Sequence, residues 1–447
     1  VSGIDEAWEK RVLPTLADYT RIKCLSPAFD PDWVERGAIA EAAELLRSWT
    51  QEQGGGLTTE IVQLPGRTPV LLVENGGSGD PILIYGHMDK QPPLGDWRPG
   101  LSAFEPVRDG DRLYGRGTAD DGYALFAAVT GVLAAEGGRG RVVILIEASE
   151  ESGSPDLSAY VEHLRARLGT PSLVICLDSG CLSYDRIWLT SSLRGNLVAS
   201  VRVDVLTEGV HSGMAGGVVP SSFRILRRIM SRIEDEGTGA ILLPELLGAG
   251  VPGDLETSLR ATAALGDSAL PTVDGLRLTG TDAGDRLIAR AWSAALEVTG
   301  MDGVPAVQDG GNVLRPYTTA KFSLRLPPDV DAQVAADALL SAITTDEGAH
   351  LTIDLEGVAN GWVAPPLSPR NMAALARVSE STFGQPVGFH GEGGTIPFLA
   401  DLQRSFPATQ FVTTGVLGPH SNAHGPNEFL HIPMAKAVTH LVAELVR

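Results

Sequence analysis

Cysteine is scarce in this chain: Cys24, Cys176 and Cys181 are the only three in 447 residues. An odd handful forms no disulfide framework, and a reducing cytoplasm is the simpler expectation. Cys176 sits in a buried-looking strand and reads as a small core hydrophobe. Long apolar runs are missing as well. The longest, Ile82-Leu83-Ile84-Tyr85 and Val142-Val143-Ile144-Leu145-Ile146, fall far short of the roughly 20 residues that a membrane-spanning helix needs, so no membrane partner is expected. Positive charge is outnumbered, with 35 Lys and Arg against 55 Asp and Glu and a net charge of −20. A phosphate backbone requires a basic face, which argues against a nucleic-acid partner. The first residues, Val1-Ser2-Gly3-Ile4-Asp5-Glu6-Ala7-Trp8, have neither the basic start nor the apolar stretch of a signal peptide, although a processed chain would look the same.

What is present is a compact globular composition, 43% hydrophobic and 20% charged, which excludes disorder as the dominant state. The length predicts about two or three domains. Residues 5–50 carry helical spacing in two pieces, and nothing in the first 55 residues names a chemistry. From about 58 to 185, short apolar strands at 61–64, 70–73, 82–85, 142–146 and 173–177 alternate in the later part with helices at 122–135 and 157–168. That text predicts a mainly parallel sheet sandwiched by helices. Near 190 the pattern changes: Leu197, Ala199, Val201, Val203 and Val205 alternate with polar neighbours, as in a half-exposed antiparallel strand. Helices at 221–234, 282–296 and 331–343 and a strand at 321–326 complete an α+β module. After about 360 the first idiom returns, with a helix at 372–382, a strand at 410–412 and a helix at 434–446. The expectation is one α/β catalytic domain, residues 1–193 and 359–447, interrupted by an inserted domain at 194–358.

Metal-capable residues follow the apolar strands, where open α/β sheets place their ligands. Strand ends run into Gly86-His87-Met88-Asp89, Glu147-Ala148-Ser149-Glu150-Glu151 and Asp178-Ser179-Gly180, and a glycine-rich turn carries Asp120-Asp121. Each cluster alone could be surface decoration or a helix-starting charge. Together they would repel unless a cation compensates them. Histidines plus carboxylates without cysteine suit divalent zinc, manganese or cobalt, and a shared acid allows two ions. A further histidine could come from His420 or His424, which spacing alone does not separate.

These segments, with His211-Ser212-Gly213, Lys321-Phe322-Ser323-Leu324-Arg325, Gly391-Glu392-Gly393-Gly394-Thr395-Ile396-Pro397 and His424-Gly425-Pro426-Asn427-Glu428, resemble in order and spacing the co-catalytic metallopeptidases. That family holds carnosinases, cytosolic nonspecific dipeptidases, aminoacylases, glutamate carboxypeptidases and acetylornithine or succinyl-diaminopimelate deacylases. The resemblance spans about residues 60–445. It implies a zinc-peptidase-like α/β domain with a ferredoxin-like lid that also forms a homodimer. It implies His87 and Asp178 on one metal, Glu151 and His424 on the other, Asp120 bridging them, and a cis peptide after Asp120. Asp89 would orient the His87 ring. Glu150 would be the general base for a metal-activated water and then the acid for the departing amine. His211 would reach the partner protomer's site to help hold the oxyanion. Asn312 and Arg325 would hold the substrate's carbonyl and carboxylate.

The Glu392-Gly393-Gly394-Thr395 segment resembles the carnosinase and dipeptidase branch, in which the acid meets a free amine and the hydroxyl lies near the carboxyl end. Glu392, Gly393, Thr395 and Arg325 together would grip both ends of a dipeptide. An N-acyl-amino-acid deacylase is the competing enzyme, with no need of an acid facing the acyl group. A metal-site relic used for binding is the non-enzyme alternative, against which all five ligands and Glu150 are present.

Overall fold

The computed structural model describes residues 2–135, 140–263, 272–345 and 347–447. The strand Val142–Glu147 is buried along its whole length. An unbroken Val/Ile/Leu run of this kind is satisfied only inside a sheet covered on both faces. It lies third in a six-stranded sheet ordered Thr58–Val62, Val70–Glu74, Val142–Glu147, Ile82–His87, Leu173–Cys176 and Gln410–Thr413. The last four strands are parallel neighbours. The first two pair antiparallel, and Val70–Glu74 runs antiparallel to Val142–Glu147. The helix Tyr123–Ala134 supplies the crossover from Ile82–His87 to Val142–Glu147, and Leu157–His163 with Arg165–Leu168 supply the next.

Tyr123–Ala134 is apolar almost throughout, and it packs on the helix Ile432–Leu445. Gly131 makes the approach possible, since a Cβ there would stand 2.7 Å from Val442 Cγ1 and 2.9 Å from the Thr439 carbonyl. The amino-terminal helices close over the same face. Trp8 is fully buried and its indole donates to Thr439 Oγ1 at 2.9 Å, while the Tyr19 hydroxyl donates to the Met88 carbonyl at 2.8 Å. Lys90 is buried too, donating to the carbonyls of Tyr19 and Ile22, each at 2.8 Å. Burial lowers its pKa. The amino-terminal residues thus brace the turn that follows His87.

The second sheet is antiparallel, ordered Ala295–Asp302, Tyr317–Leu326, Gly195–Asp204 and His350–Ala359. Its alternation is physical: Leu197, Ala199, Val201 and Val203 are buried, with partly exposed residues between them. The buried face meets Ile225, Leu226 and Ile229 of the helix Ser222–Ile233 and Ala335, Ala336 and Leu339 of the helix Ala332–Ala342. Asp331 caps the latter by accepting from the Gln333 and Val334 amides. Taking sheet strands and these two helices in chain order gives βαββαβ, the ferredoxin-like arrangement. Two intervening helices, Gly253–Ala263 and Ala283–Trp292, turn away from it. Their Leu259, Ala263 and Leu287 join the core of the main sheet.

The structure differs from the sequence reading in two places. The helix expected over 282–296 ends at Trp292, because Ser293 is extended and Leu296 belongs to the strand Ala295–Asp302. The sequence reading names no strand before Gly393, whereas Gly388–Glu392 is one and runs parallel to Trp188–Leu193. All three cysteines are free and buried. Among the described residues no helix is long and apolar enough to cross a membrane.

Candidate active site

His87 is the last residue of its strand, Asp178 follows Leu173–Cys176 by two residues, and Glu150 and Glu151 follow Val142–Glu147. Parallel pairing brings these strand ends to one edge, with His87 opposite Glu147 in register. Asp120 and Asp121 meet them from the turn that opens Tyr123–Ala134, and the Asp120-Asp121 peptide bond is cis. His87 Nε2 lies 3.2 Å from Asp120 Oδ1 and 3.9 Å from Asp178 Oδ2. His424 Nε2 lies 3.1 Å from Asp120 Oδ2 and 3.1 Å from Glu151 Oε2. The donors therefore form two groups, His87, Asp120 and Asp178, and Asp120, Glu151 and His424, with the atoms of each group within 4.8 Å of one another. Imidazole and carboxylate at that spacing fit the coordination shell of a divalent ion, and Asp120 turns one oxygen to each group.

Backbone donors hold the arrangement. Asp89, fully buried, accepts the Glu150 and Glu151 amides, one on each oxygen, at 3.1 and 3.0 Å. Its carboxylate is also 3.4 Å from His87 Nδ1, with its own carbonyl at 3.1 Å. Asp121 accepts the His87 amide at 3.2 Å, and Gln91 donates to Glu151 at 2.8 Å. Glu428 fixes the Asp120 turn by accepting the amides of Gly117, Ala119 and Asp120 at 3.1 to 3.2 Å. Arg116 pairs with Glu428 at 2.6 Å, both side chains being buried. The loop that presents His424 is unusual in its backbone: His420, Asn422, His424 and Asn427 all have positive φ, from 55° to 65°. Clustered left-handed residues of this kind mark a conformation imposed by the surroundings.

The electrostatics suit a cation. Burial opposes charge on His87, but hydrogen bonds to Asp120 and Asp89 outweigh it and raise its pKa. His424 behaves alike, burial again opposing, with Asp120 and Glu151 pushing it up to about 11. Burial and the charges of Asp120 and Glu151 raise Asp178 to about 7, against the pull of His87. Burial, then the Asp178 charge, raises Glu150 well above the carboxylate range, and burial with Asp120 raises Glu151. Asp120 is lowered, because its two histidine partners overcome its burial. Carboxylates that hold protons and histidines that gain them form a field that a divalent cation would neutralise.

The outer residues divide. Glu392 ends its strand beside the cluster and accepts the Gly180 amide at 2.8 Å. Thr395 donates to the Arg194 carbonyl at 2.6 Å and accepts from Arg325 at 3.2 Å. Gly393 packs on Arg194, and a Cβ there would stand 2.8 Å from Nη2. His420 lines a cavity of about 400 Å3 with Glu392 and Gly393. His211 and Asn312 are brought together, since the Ser212 amide donates to the Asn312 carbonyl and His211 pairs with Val313. They are exposed, and among the described residues no hydrogen bond or ion pair joins them to the acidic cluster. Arg325 pairs with Asn196 at one end of the second sheet, whereas His211 and Asn312 lie beyond the other, where Tyr317 pairs with Asp204. Eight strand residues put those ends roughly 27 Å apart.

The sequence reading gave no task to Arg116, Glu428, Gln91 or Arg194. Arg116 and Glu428 lie inside segments already singled out, but a pairing across 312 positions leaves no local signal. A buried charge in a glycine-rich turn is the one feature that could have suggested a partner.

A model of peptidase family M20/M25/M40 matches residues 83–447. The chain is 28% identical over 417 residues to the cysteinylglycine-S-conjugate dipeptidase of Corynebacterium striatum, covering 89% of this chain and 88% of that one. It is 24% identical over 399 residues to the Beta-Ala-His dipeptidase of Mus musculus, covering 84% and 80%. The solved structure of the di-peptidase Dug1p from Saccharomyces cerevisiae superimposes with a TM-score of 0.78 at 22% identity, over 99% of this chain and 96% of that one.

Proposed function

This chain belongs to peptidase family M20/M25/M40, and from that premise we propose that it is a metal-dependent dipeptidase acting on short peptides with free termini. The observation that carries the reading is the shared carboxylate, Asp120, which turns one oxygen to each of two donor groups. Two divalent ions, zinc foremost with manganese or cobalt as substitutes, would be held by His87 and Asp178, by Glu151 and His424, and by Asp120 between them. When bound, such ions polarise a carbonyl and lower the pKa of water.

The chain's own residues do the rest. Glu150, whose pKa burial and the Asp178 charge raise, is the general base that takes a proton from the attacking water and returns it to the departing amine nitrogen. Asp89 acts through its bonds to the Glu150 and Glu151 amides and by orienting the His87 ring. Glu392 takes the substrate's ammonium, with Gly393 giving it room, and Arg325 and Thr395 take the carboxylate. His211 and Asn312 serve the site of a second copy, His211 holding the developing oxyanion. A homodimer through the lid is supported by their distance from Arg325 and by exposed Met214, Val218, Val304 and Val307 near them. The free, buried cysteines support a cytoplasmic setting.

The test is hydrolysis of unblocked dipeptides beside their N-acetylated counterparts, on metal-stripped protein with zinc, manganese or cobalt restored. Cleavage of the unblocked set, reduced about tenfold or more by Glu392→Gln, is the expected result. Preference for the acylated set, indifferent to Glu392→Gln, would move the assignment to an N-acyl-amino-acid deacylase.

A further inference from the structure

The cavity beside Glu392 is bounded on one wall by Cys181 and Leu182, just past Asp178, and on another by Leu417 and His420. A third wall is Arg290, from the last turn of the helix Ala283–Trp292. That helix belongs to the inserted segment in sequence but packs on the strand Gly388–Glu392: a Cβ on Gly391 would meet Ala291 at 2.5 Å, and one on Gly393 would meet Arg290 Cγ at 3.5 Å. Arg290 is thus mounted on the catalytic body rather than on the lid sheet.

Arg290 has company, and the one carboxylate that shares its cavity is Glu392. Arg194 lies directly under Gly393, with Nη1 donating to the Ser293 carbonyl and its buried Nε without a partner. Arg325 is bonded to Thr395, one residue beyond Gly394. Among the described residues none of the three guanidiniums forms an ion pair with a carboxylate, and no carboxylate but Glu392 lines the cavity. Burial first, then the charges of Arg325 and Arg290, brings Arg194 down to about 10, as uncompensated like charges do. Arg325 already has a task at the substrate's carboxyl end. Arg290 shares its cavity with the carboxylate assigned to the substrate's ammonium, so the group that enters there is the side chain of the amino-terminal residue.

We propose that Arg290, backed by Arg194, makes this chain select dipeptides whose amino-terminal residue carries a side-chain carboxylate. The inference rests on the dipeptidase reading and names its substrate class. A half-buried, unpaired guanidinium is a fork for a carboxylate, and a neutral amide of the same shape leaves its charge unanswered.

Asp-Ala and Asn-Ala are isosteric and differ in that charge alone, with Ala-Ala as reference. On metal-loaded protein, kcat/KM for Asp-Ala is expected to exceed that for Asn-Ala by about tenfold or more. Arg290→Gln should bring the ratio to about one, and Arg290→Lys should keep part of it. Calorimetry gives a readout without turnover: L-aspartate should bind more tightly than L-asparagine, and Arg290→Gln should erase the difference. Equal rates on Asp-Ala and Asn-Ala, or equal affinity for the two amino acids, overturn the inference and leave the dipeptidase reading standing. No cleavage of any of the three peptides, Ala-Ala included, overturns that reading and the inference with it.

Discussion

The two sheets present their polar residues in different ways. On the six-stranded sheet the metal-capable side chains arrive from strand ends and adjoining turns, and buried carboxylates that accept backbone amides hold two of those turns: Asp89 holds Glu150 and Glu151, and Glu428 holds the Asp120 turn. On the four-stranded sheet Arg325 sits at one end of a long strand, while His211 and Asn312 sit on a short two-stranded arm beyond the other. The first region is complete within one chain. The second has its parts at opposite ends of a long strand. Parallel pairing and the adjoining turns bring the acidic cluster together within one chain, whereas His211 and Asn312 lie roughly 27 Å from Arg325, at the far end of the lid.

The largest effect tests the first region at its centre. Glu150→Gln is expected to lower kcat by about 10³-fold or more while metal content, read by elemental analysis, stays the same; near-normal turnover would remove Glu150 from the role of base. Next comes the anchoring beneath it. Glu428→Gln leaves the Arg116 charge buried and unpaired, and should cost on the order of 3–5 kcal/mol in urea unfolding. A loss below 1 kcal/mol would mean that the Asp120 turn holds itself.

The second region is tested by mixing. His211→Ala should reduce kcat by about 10²-fold. Combined with Glu150→Gln protein, hybrid dimers would regain about a quarter of the sites, each built from the sound half of either variant; no recovery would mean that His211 serves its own chain or none.

The smallest effect is a pH dependence confined to the first region. Burial and the Asp89 charge raise Glu147 from 4.5 to about 7, so between those values the folded chain holds a proton that the unfolded chain has lost. Its contribution to stability is full below about pH 4.5 and disappears as pH rises to about 7. Metal-free protein should lose on the order of 2 kcal/mol to this group across that window, and Glu147→Gln should flatten the curve. A wild-type profile that rises through the window would contradict the assignment.

How far the sequence could be read follows from the same contrast. His87, Glu150, Glu151 and Asp178 were legible because each follows an apolar run whose burial fixes where the chain must turn. Asp120 was legible from its glycine-rich turn. His424 could be separated from His420 only through the family resemblance; in the structure the distinction is plain, since His424 alone meets Asp120 and Glu151. The strand Gly388–Glu392 was hidden because Gly-Phe-His-Gly-Glu has no apolar run, and its neighbour Trp188–Leu193 supplies the pairing that makes it a strand. The segment Ala289 to Leu296 keeps a helix-friendly composition past Trp292, so the turn into the lid strand had no local marker. Arg116 and Glu428 needed the fold to find each other.

The indole of Trp8 rests on Thr439, and that contact bears on the order of events during synthesis. Residues near Trp8 therefore have their seat on a helix more than 400 positions later in the sequence, and the strand Gln410–Thr413 closes an edge of a sheet begun hundreds of residues earlier. Until those late segments emerge, the early half of the main core has no surface to close upon. Products ending short of residue 410 would therefore leave that core exposed and be aggregation-prone fragments rather than soluble, inactive enzyme.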